Sequence, residues 1–480
     1  MSRSRMPRSR RVVILVATGF VGLLVLVAAV LFLLVHAKVS KAGLEATASG
    51  ALGLEFSIGG PLGIGFFPGL LVTIEDVHIR NRGVDVASAH EASLGIELLP
   101  LLMNEVRIEK IALKHPRISI ERDRDGQFNF EKPVAAGRTL PAMHSMNVSL
   151  SDATLVYVDK RFGERFEAED CRLDAHDLRL LGGKSSNFMQ DLSFTAELTC
   201  GKARGDGFTV SDLKLSADAK NGVFDLKPVT TQVFGAQGSG SIQADFSKSV
   251  PIYHVRYLLP QFPIEEFFKS MTRHKVAAGL MDFSANLSMQ GTTEKQMRQT
   301  LKGQISLRGR NLTLSGSDLD REFARFETSQ KFNLVDVGAF FFVGPLGLVV
   351  TKGFNIANVL QESSGSSEIR TLVSDWKVER GVAQAQDVAM ATKHNRIALQ
   401  GGLDLVGNEF DGVTVALIDE KGCAKLRQQI RGTFQNPMVE KPNVFESVAG
   451  PALRLLKKGN ELLGGGRCEV FYAGSVTAPN

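Results

Sequence analysis

The chain has 480 residues, 44% of them hydrophobic and 22% charged, a balance that excludes wholesale disorder, collagen-like repetition and coiled coil. At roughly 150 residues per domain it has room for about three domains or one long repetitive one. Lys and Arg number 56 against 51 Asp and Glu, and Arg3, Arg5, Arg8, Arg10 and Arg11 account for the whole excess, so the body is neutral and offers no electrostatic footprint for nucleic acid.

The first element is apolar. From Val12 to Val35 no charge interrupts VVILVATGFVGLLVLVAAVLFLLV, which as a helix would reach about 36 Å against a hydrocarbon core of about 30 Å. The arginines before it and the lone Lys38 after it predict a cytoplasmic N-terminus, with the bulk of the chain across the membrane. A cleaved signal peptide is the competing reading. Its apolar region would span only about 7 to 15 residues, so an uncleaved anchor is expected. The later apolar run Val337 to Val350 is short and holds three Gly and a Pro, which fits core or an interfacial segment.

A Gly-rich stretch from Gly43 to Gly69 leads into short alternating runs. Leu70, Val72 and Ile74 share a face; then come Val77 and Ile79; Leu94, Ile96 and Leu98; Val106 and Ile108; Ile111 and Leu113; Ile118 and Ile120. Period two predicts strands with one apolar and one polar face, four to seven residues each. Turn chemistry separates them at Asn81-Arg82-Gly83, Pro100, His115-Pro116 and Asp125-Gly126. The same pattern recurs through Val148 and Leu150, Leu155 to Val158, Leu192 to Leu198, Phe208 to Leu215, Val223 to Leu226, Phe283 to Leu287, Ile305 to Leu307, Leu312 to Leu314, Val382 to Ala391 and Ile397 to Leu405. A mainly β chain of antiparallel sheet follows. Short helices are expected over Pro263 to Arg273, after the capping box Thr293 to Gln296, and from Asn443 to Gly459; Ser363 to Ser367 reads as an exposed loop.

Motifs for chemistry are absent. Gly183-Lys184-Ser185 lacks the earlier glycine of a phosphate loop, and Arg122 to Asp125 alternates charges beside a turn, as a solvated corner does. The chain holds no Gly-x-Ser-x-Gly elbow, and its nine His are scattered without metal-ligand spacing. No enzyme, cofactor or metal site is expected. Cys171, Cys200, Cys423 and Cys468 all lie beyond the apolar run, where an even count points to disulfides with three connectivities open. Cys423 with Cys468 is the expected bridge, flanking the last helix, and Cys171 with Cys200 the second.

Several motifs together resemble the AsmA family of bacterial envelope proteins. They are Phe67-Pro68-Gly69-Leu70 running into Ile74 to Asn81, Leu98-Leu99-Pro100-Leu101-Leu102, and Pro116 to Asp123 followed by Asp125-Gly126-Gln127-Phe128-Asn129-Phe130. The last position is commonly Trp in that family, and Phe130 departs from it. Phe234 to Gly238 resembles the family's mid-chain element, and Gly381 to Thr392, Gly401 to Leu405 and Arg431 to Phe434 its C-terminal region. The resemblance implies an inner-membrane anchor and a β-rich periplasmic body of the bridge-like lipid-transfer group, whose elongated, twisted antiparallel sheets form a groove. Its organisation would be a basic tail over 1–11, a transmembrane helix over 12–35, and β regions over 36–205, 206–330 and 331–480. Phospholipid, the inner membrane, and periplasmic or outer-membrane proteins are the implied partners, with no nucleic acid. Leu70, Val72, Ile74, Leu94, Ile96, Leu98, Ile118 and Ile120 are the expected groove lining. The function implied is phospholipid shelter in support of transport to, and integrity of, the outer membrane; the alternative is an assembly factor for outer-membrane proteins that moves no lipid.

Overall fold

Alternating apolar and polar residues fold as strands, and they dominate the computed structural model, which describes residues 41–52, 54–65, 70–97, 100, 107–125, 127–129, 143–160, 163–180, 188–205, 208–269, 276–315, 318–321, 339–342, 365–440, 443–444 and 470–479. The expected span Val12 to Val35, and also Leu98 and Cys468, lie outside these. Among the described residues no helix is long and apolar enough to cross a membrane. The chain forms two compact units, one of residues 1–233 with 239–253 and one of 234–238 with 254–480.

The first unit opens with helix α1 (Lys41–Leu52), a segment that its glycines disguise in the sequence. Lys41, Glu45 and Ser49 share one helix face at four-residue spacing. That face lies on strand β1 (Glu55–Ile58): Glu45 Oε1 accepts from the Ile58 N–H at 2.7 Å, Ser49 Oγ from the Phe56 N–H at 2.9 Å, and Lys41 Nζ donates to the Gly59 carbonyl at 3.3 Å. There follow β2 (Leu62–Gly65), β3 (Leu70–Asn81), β4 (Val84–Ile96), β5 (Ile108–Lys114), β6 (Arg117–Arg122), β7 (Met143–Asp159), β8 (Glu164–Leu180), β9 (Leu192–Gly205), β10 (Phe208–Lys220) and β11 (Val223–Val233). Hairpin turns at Arg82-Gly83 and Asn221-Gly222 have positive φ at both residues, the two-residue geometry that matches strand twist and that glycine makes accessible.

The sheet is mixed, not purely antiparallel. β5 and β6 are one strand interrupted at His115-Pro116, antiparallel to β4, and both pair parallel with β7. The chain between Arg122 and Met143 makes the long return that parallel pairing requires. Part of the family-like motif explains itself here. Asn129 accepts from the Glu121 N–H at 3.1 Å and donates to the Ser119 carbonyl at 2.8 Å, so its side chain occupies the β6 backbone, and Phe128 packs on the core beneath Arg122.

Several strands exceed the expected four to seven residues; β7 and β8 have 17 each. They pass through single left-handed residues at which the alternation slips phase. Asp76 (φ 52°), His115 (48°), Asp152 (53°), Asp170 (54°) and Asp212 (48°) are these residues. The register brings them onto one line across the strands. His90 and His115 stack edge to face at 6.2 Å, and His115 lies 3.8 Å from Asp152. Asp170 and Asp212 both fall opposite Gly201, where a Cβ would approach the Asp170 Cβ to 3.1 Å. Bulges sharpen twist and bend a strand. A row of them creases the sheet.

β12 (Ala236–Asp245) and β13 (Ile252–Pro263) straddle the division between units. The second unit continues with α2 (Ile264–Lys269), β14 (Ala277–Ala278), β15 (Leu280–Gln290), α3 (Glu294–Thr300), β16 (Lys302–Ser315), β17 (Ser366–Glu379), β18 (Val382–Ala391), β19 (Arg396–Asp404), β20 (Glu409–Ile418), β21 (Ala424–Thr433), β22 (Asn436–Val439) and β23 (Asn443–Val444). Thr293 and Gln296 form the expected capping box. Two expectations change. Ser366 and Ser367 of the Ser-rich run belong to β17, and Ser367 is buried, with its hydroxyl accepting from the Leu319 N–H at 2.7 Å; Ser363 and Ser364 lie outside the described residues. Val444, expected in a first helical turn, pairs as a strand with Leu426; the rest of that predicted helix lies outside the described residues.

Candidate functional site

Reading across the first unit's strands gives a pattern that reading along them conceals. Val72, Leu94, Ile111, Val148, Ala175, Ala196, Ala217 and Leu226 are successive register partners from β3 to β11. A second row is Ile74, Ala92, Leu113, Leu150, Leu173, Leu198, Leu215 and Val229. A third, across the crease and through β6, is Ile79, Ala87, Ile118, Leu155, Ala168, Ala203, Val210 and Val233. No polar residue interrupts any of the three. Eight strands spaced about 4.8 Å apart make each row about 34 Å long, roughly the thickness of a bilayer's hydrocarbon core.

The opposite face differs sharply. The row beside the first runs Thr73, Ser93, Ala112, Ser149, Asp174, Glu197 and Ser216. Its ion pairs include Lys114 with Glu91 at 2.9 Å and Arg165 with Glu167 at 2.9 Å, each cation's hydrogen bond holding its partner's carboxyl below the ordinary value. Such exposed pairs add little stability. Their value is in keeping this face wet.

Burial varies along the rows. Val72, Ile74, Leu94, Ile96, Ile118 and Ile120, six of the expected lining residues, are 1–7% exposed and belong to one core cluster; Leu70 packs against it half-buried, and Leu98 lies outside the described residues. The second row loosens from β8 onward and all three loosen at β10 and β11, whereas Ala168, Ala175, Ala196 and Ala203 of the other two rows stay buried in β8 and β9. Leu173, Leu198, Leu215 and Val229 are each half-buried, as are Ala217 and Leu226. Sequence reasoning missed this stretch, although the alternation in Leu192 to Leu198 and Phe208 to Leu215 carried the signal. Phe194, Phe224, Phe246 and Tyr253 close one side of it in successive edge-to-face contacts of 5.4–6.1 Å.

Cys171 and Cys200 form a disulfide beside the crease, with Cα atoms 4.0 Å apart, between Ala153 and Leu213 on the apolar face. Cys423 is also disulfide-bonded; Cys468, its expected partner, lies outside the described residues. Gly183-Lys184-Ser185 lies outside them as well. Among the described residues no group of three His, Cys, Asp or Glu could hold a metal ion. The arrangement can shelter an apolar molecule along a face and keep a polar one out.

The family model for AsmA matches residues 6–179 and 183–333. The segments from Gly381 to Phe434 lie beyond that match. No curated protein and no solved structure matches the chain. A match over more than half of the sequence, covering the anchor-like run, the creased first unit and the mid-chain turn, shows the relationship: the chain belongs to the AsmA family.

Proposed function

We propose that this protein shelters phospholipid acyl chains along the apolar face of its first unit, and that it does so in the periplasm, tethered to the inner membrane, in support of lipid transport to the outer membrane. The carrying observation is the continuity of three apolar rows across eight strands, backed by a charged face. Each buried CH₂ gains about 0.8 kcal/mol, so two acyl tails cannot leave a bilayer for water, but they can move along a face that never breaks contact with them. The half-buried stretch over β8–β11 is where a tail finds apolar surface not already filled by core. Movement along such a face makes and breaks no bond. Family membership supports an envelope role, and the five arginines before the apolar run support the orientation. Native mass spectrometry of the full chain, released from gentle detergent, tests the reading: phospholipid should co-purify at about one or more molecules per chain, and recovery of lipid-free protein at every detergent strength would refute it.

An assembly role retains one observation in its favour. All four residues of β22 are exposed, Met438 at 64% and Val439 at 38%. Exposed edge strands recruit other strands, although Pro437 withholds one donor. Met438→Asp should then lower outer-membrane protein levels with lipid content unchanged.

A further inference from the structure

The middle strands of the second unit are buried on both faces, unlike those of the first, where Leu198, Leu215 and Val229 stay half-buried on one face and the other is charged. Val373, Ala389, Ala398 and Ala416 are register partners across β17, β18, β19 and β20. Each is 0–6% exposed, because Phe471, Tyr472 and Val476 pack on them, themselves 5%, 8% and 1% exposed. Leu372, Met390 and Ile397 stand next to three of these along β17, β18 and β19, so strand alternation turns them to the opposite face, and they are 0–1% exposed. Aromatic rings cover that face: Phe342, in the turn Ala339–Phe342, meets Trp376 at 6.4 Å and Phe410 at 5.5 Å, and Phe410 meets Phe434 at 5.1 Å.

Hydrogen bonds lock both covers. The Tyr472 hydroxyl donates to Asp387 and accepts from the Val476 N–H at 3.0 Å, while the Ser475 N–H donates to the other Asp387 oxygen at 3.0 Å. Arg396 donates to the Val476 carbonyl at 2.9 Å, and Gln400 to that of Phe471 at 2.6 Å. On the opposite face the Trp376 indole N–H donates to the Ser374 hydroxyl at 2.7 Å, which donates to the Phe341 carbonyl at 2.7 Å. An acyl chain displacing either cover would exchange one apolar contact for another, and it has no donor or acceptor with which to replace these bonds. Asp387, Arg396 and Gln400, or Ser374 and Trp376, would be left under hydrocarbon without partners, a cost with nothing to offset it.

We propose that the first unit alone carries lipid and that the β17–β20 sheet of the second excludes it. The apolar path is then confined to the first unit. A bound phospholipid leaves from the open β10 and β11 part of the rows to an acceptor that brings its own apolar surface, and it does not slide on over the second unit's sheet. This rests on the reading of the first unit as the lipid shelter and narrows it from a through-path to a carrying site.

Labelling with a phosphatidylethanolamine that bears a diazirine in one acyl tail tests it. The full chain in detergent is mixed with this probe, irradiated, digested and mapped by mass spectrometry. Peptides from β8–β11 should carry label, and those from β17–β20 and 470–479 at least about tenfold less, the discrimination that one buried group deprived of its partner supplies. Label in β17–β20 within tenfold of that in β8–β11 would overturn the exclusion and leave the shelter standing, whereas absence of label from β8–β11 would overturn both. Phe471→Ala with Tyr472→Ala, which uncovers the alanine floor, should raise label in β17–β20 while β8–β11 labels as in the wild type; no rise would overturn the assignment of exclusion to this cover. Where that double variant fails to fold, Tyr472→Phe keeps the ring, drops both hydroxyl bonds and should give a smaller rise in the same strands, and an unchanged map would count equally against the proposal.

Discussion

A matched pair of substitutions separates core from lipid path on the same face. Ile96 is 3% exposed, paired with Leu70 on one side and Ile108 on the other. Ile96→Asp forfeits about 2–3 kcal/mol of apolar burial. It also forces a carboxyl into an apolar site, where remaining neutral at pH 7 takes a pKa rise of about 3 to 5 units, or about 4–7 kcal/mol. The total of about 6–10 kcal/mol rivals the whole stability of a domain, about 5–15 kcal/mol. Leu198 lies in the row between Leu173 and Leu215 and is only half-buried. Leu198→Asp leaves the carboxylate in contact with water and costs on the order of 1 kcal/mol. Immunoblotting of membranes should therefore find Ile96→Asp depleted and Leu198→Asp at normal abundance, with the latter losing co-purified phospholipid and raising outer-membrane permeability. Normal lipid content and a normal barrier in abundant Leu198→Asp protein would refute the assignment of the β8–β11 rows to the lipid path. Equal depletion of both would show that these rows are closed core.

Replacing Cys171 and Cys200 by Ala, which opens a loop of 29 residues, should cost about 3–4 kcal/mol on the chain-entropy model, read as a lower denaturation midpoint than the wild type under oxidising conditions and no difference under reducing ones. At the crease, Asp152→Gly should be tolerated while Asp152→Val loses about 1–2 kcal/mol, since only the β-branched residue resists φ near 53°; equal stabilities by denaturant titration would contradict the crease. The last described segment, residues 470–479, packs Phe471, Tyr472 and Val476 on Val373, Ala389, Ala398 and Ala416 of the second unit and should stay seated across the neutral range. Burial raises the Asp387 carboxyl, but the bonds from Ser475 and Tyr472 outweigh it and hold it below its ordinary value, with Arg308 assisting. Burial, then the bond to Asp387, hold the Tyr472 phenol above its ordinary value against the opposing Val476 amide and Arg396. Asp387 thus contributes above the unfolded carboxyl's pKa of about 3.9 and loses that contribution as pH falls through its lower folded value; Tyr472 contributes below about pH 10 and loses its contribution as pH rises toward its higher folded value. Hydrogen exchange of Phe471 to Val476, corrected for intrinsic rate, should be flat from about pH 5 to 9, and a step inside that window would contradict the sign of either shift.

Alternation identified the strands well, and its failures are physical. Ile74 and Val77 look like two strands because Asp76 adds a residue and slips the phase; the same slip at Asp152 divides one 17-residue strand into two apparent short ones. The parallel pairing of β5 and β6 with β7 could not be read locally, since it depends on where a long return brings the chain. Helix α1 was hidden because its ordering partner is the β1 backbone and because Gly43 and Gly50 weaken its propensity signal. At the candidate site, period two found the inward residues of β3, β4 and β6 but carries no measure of depth. Ile96 and Leu198 alternate alike, and only cross-strand neighbours make one core and the other accessible.

The hydrogen bonds from α1 to β1 bear on how copies of this protein coexist. An unpaired strand edge is a template, and two such edges meeting side by side would join sheets into a polymer. Here the Phe56 and Ile58 N–H groups are already taken by Ser49 and Glu45, and a second copy could pair with β1 only by displacing a charged acceptor from its donor. Glu45 brings a further penalty to any apolar strand that approaches. The helix therefore acts as a stopper for sheet growth at this edge, and Glu45→Ala with Ser49→Ala should turn a monodisperse preparation into one that self-associates with concentration.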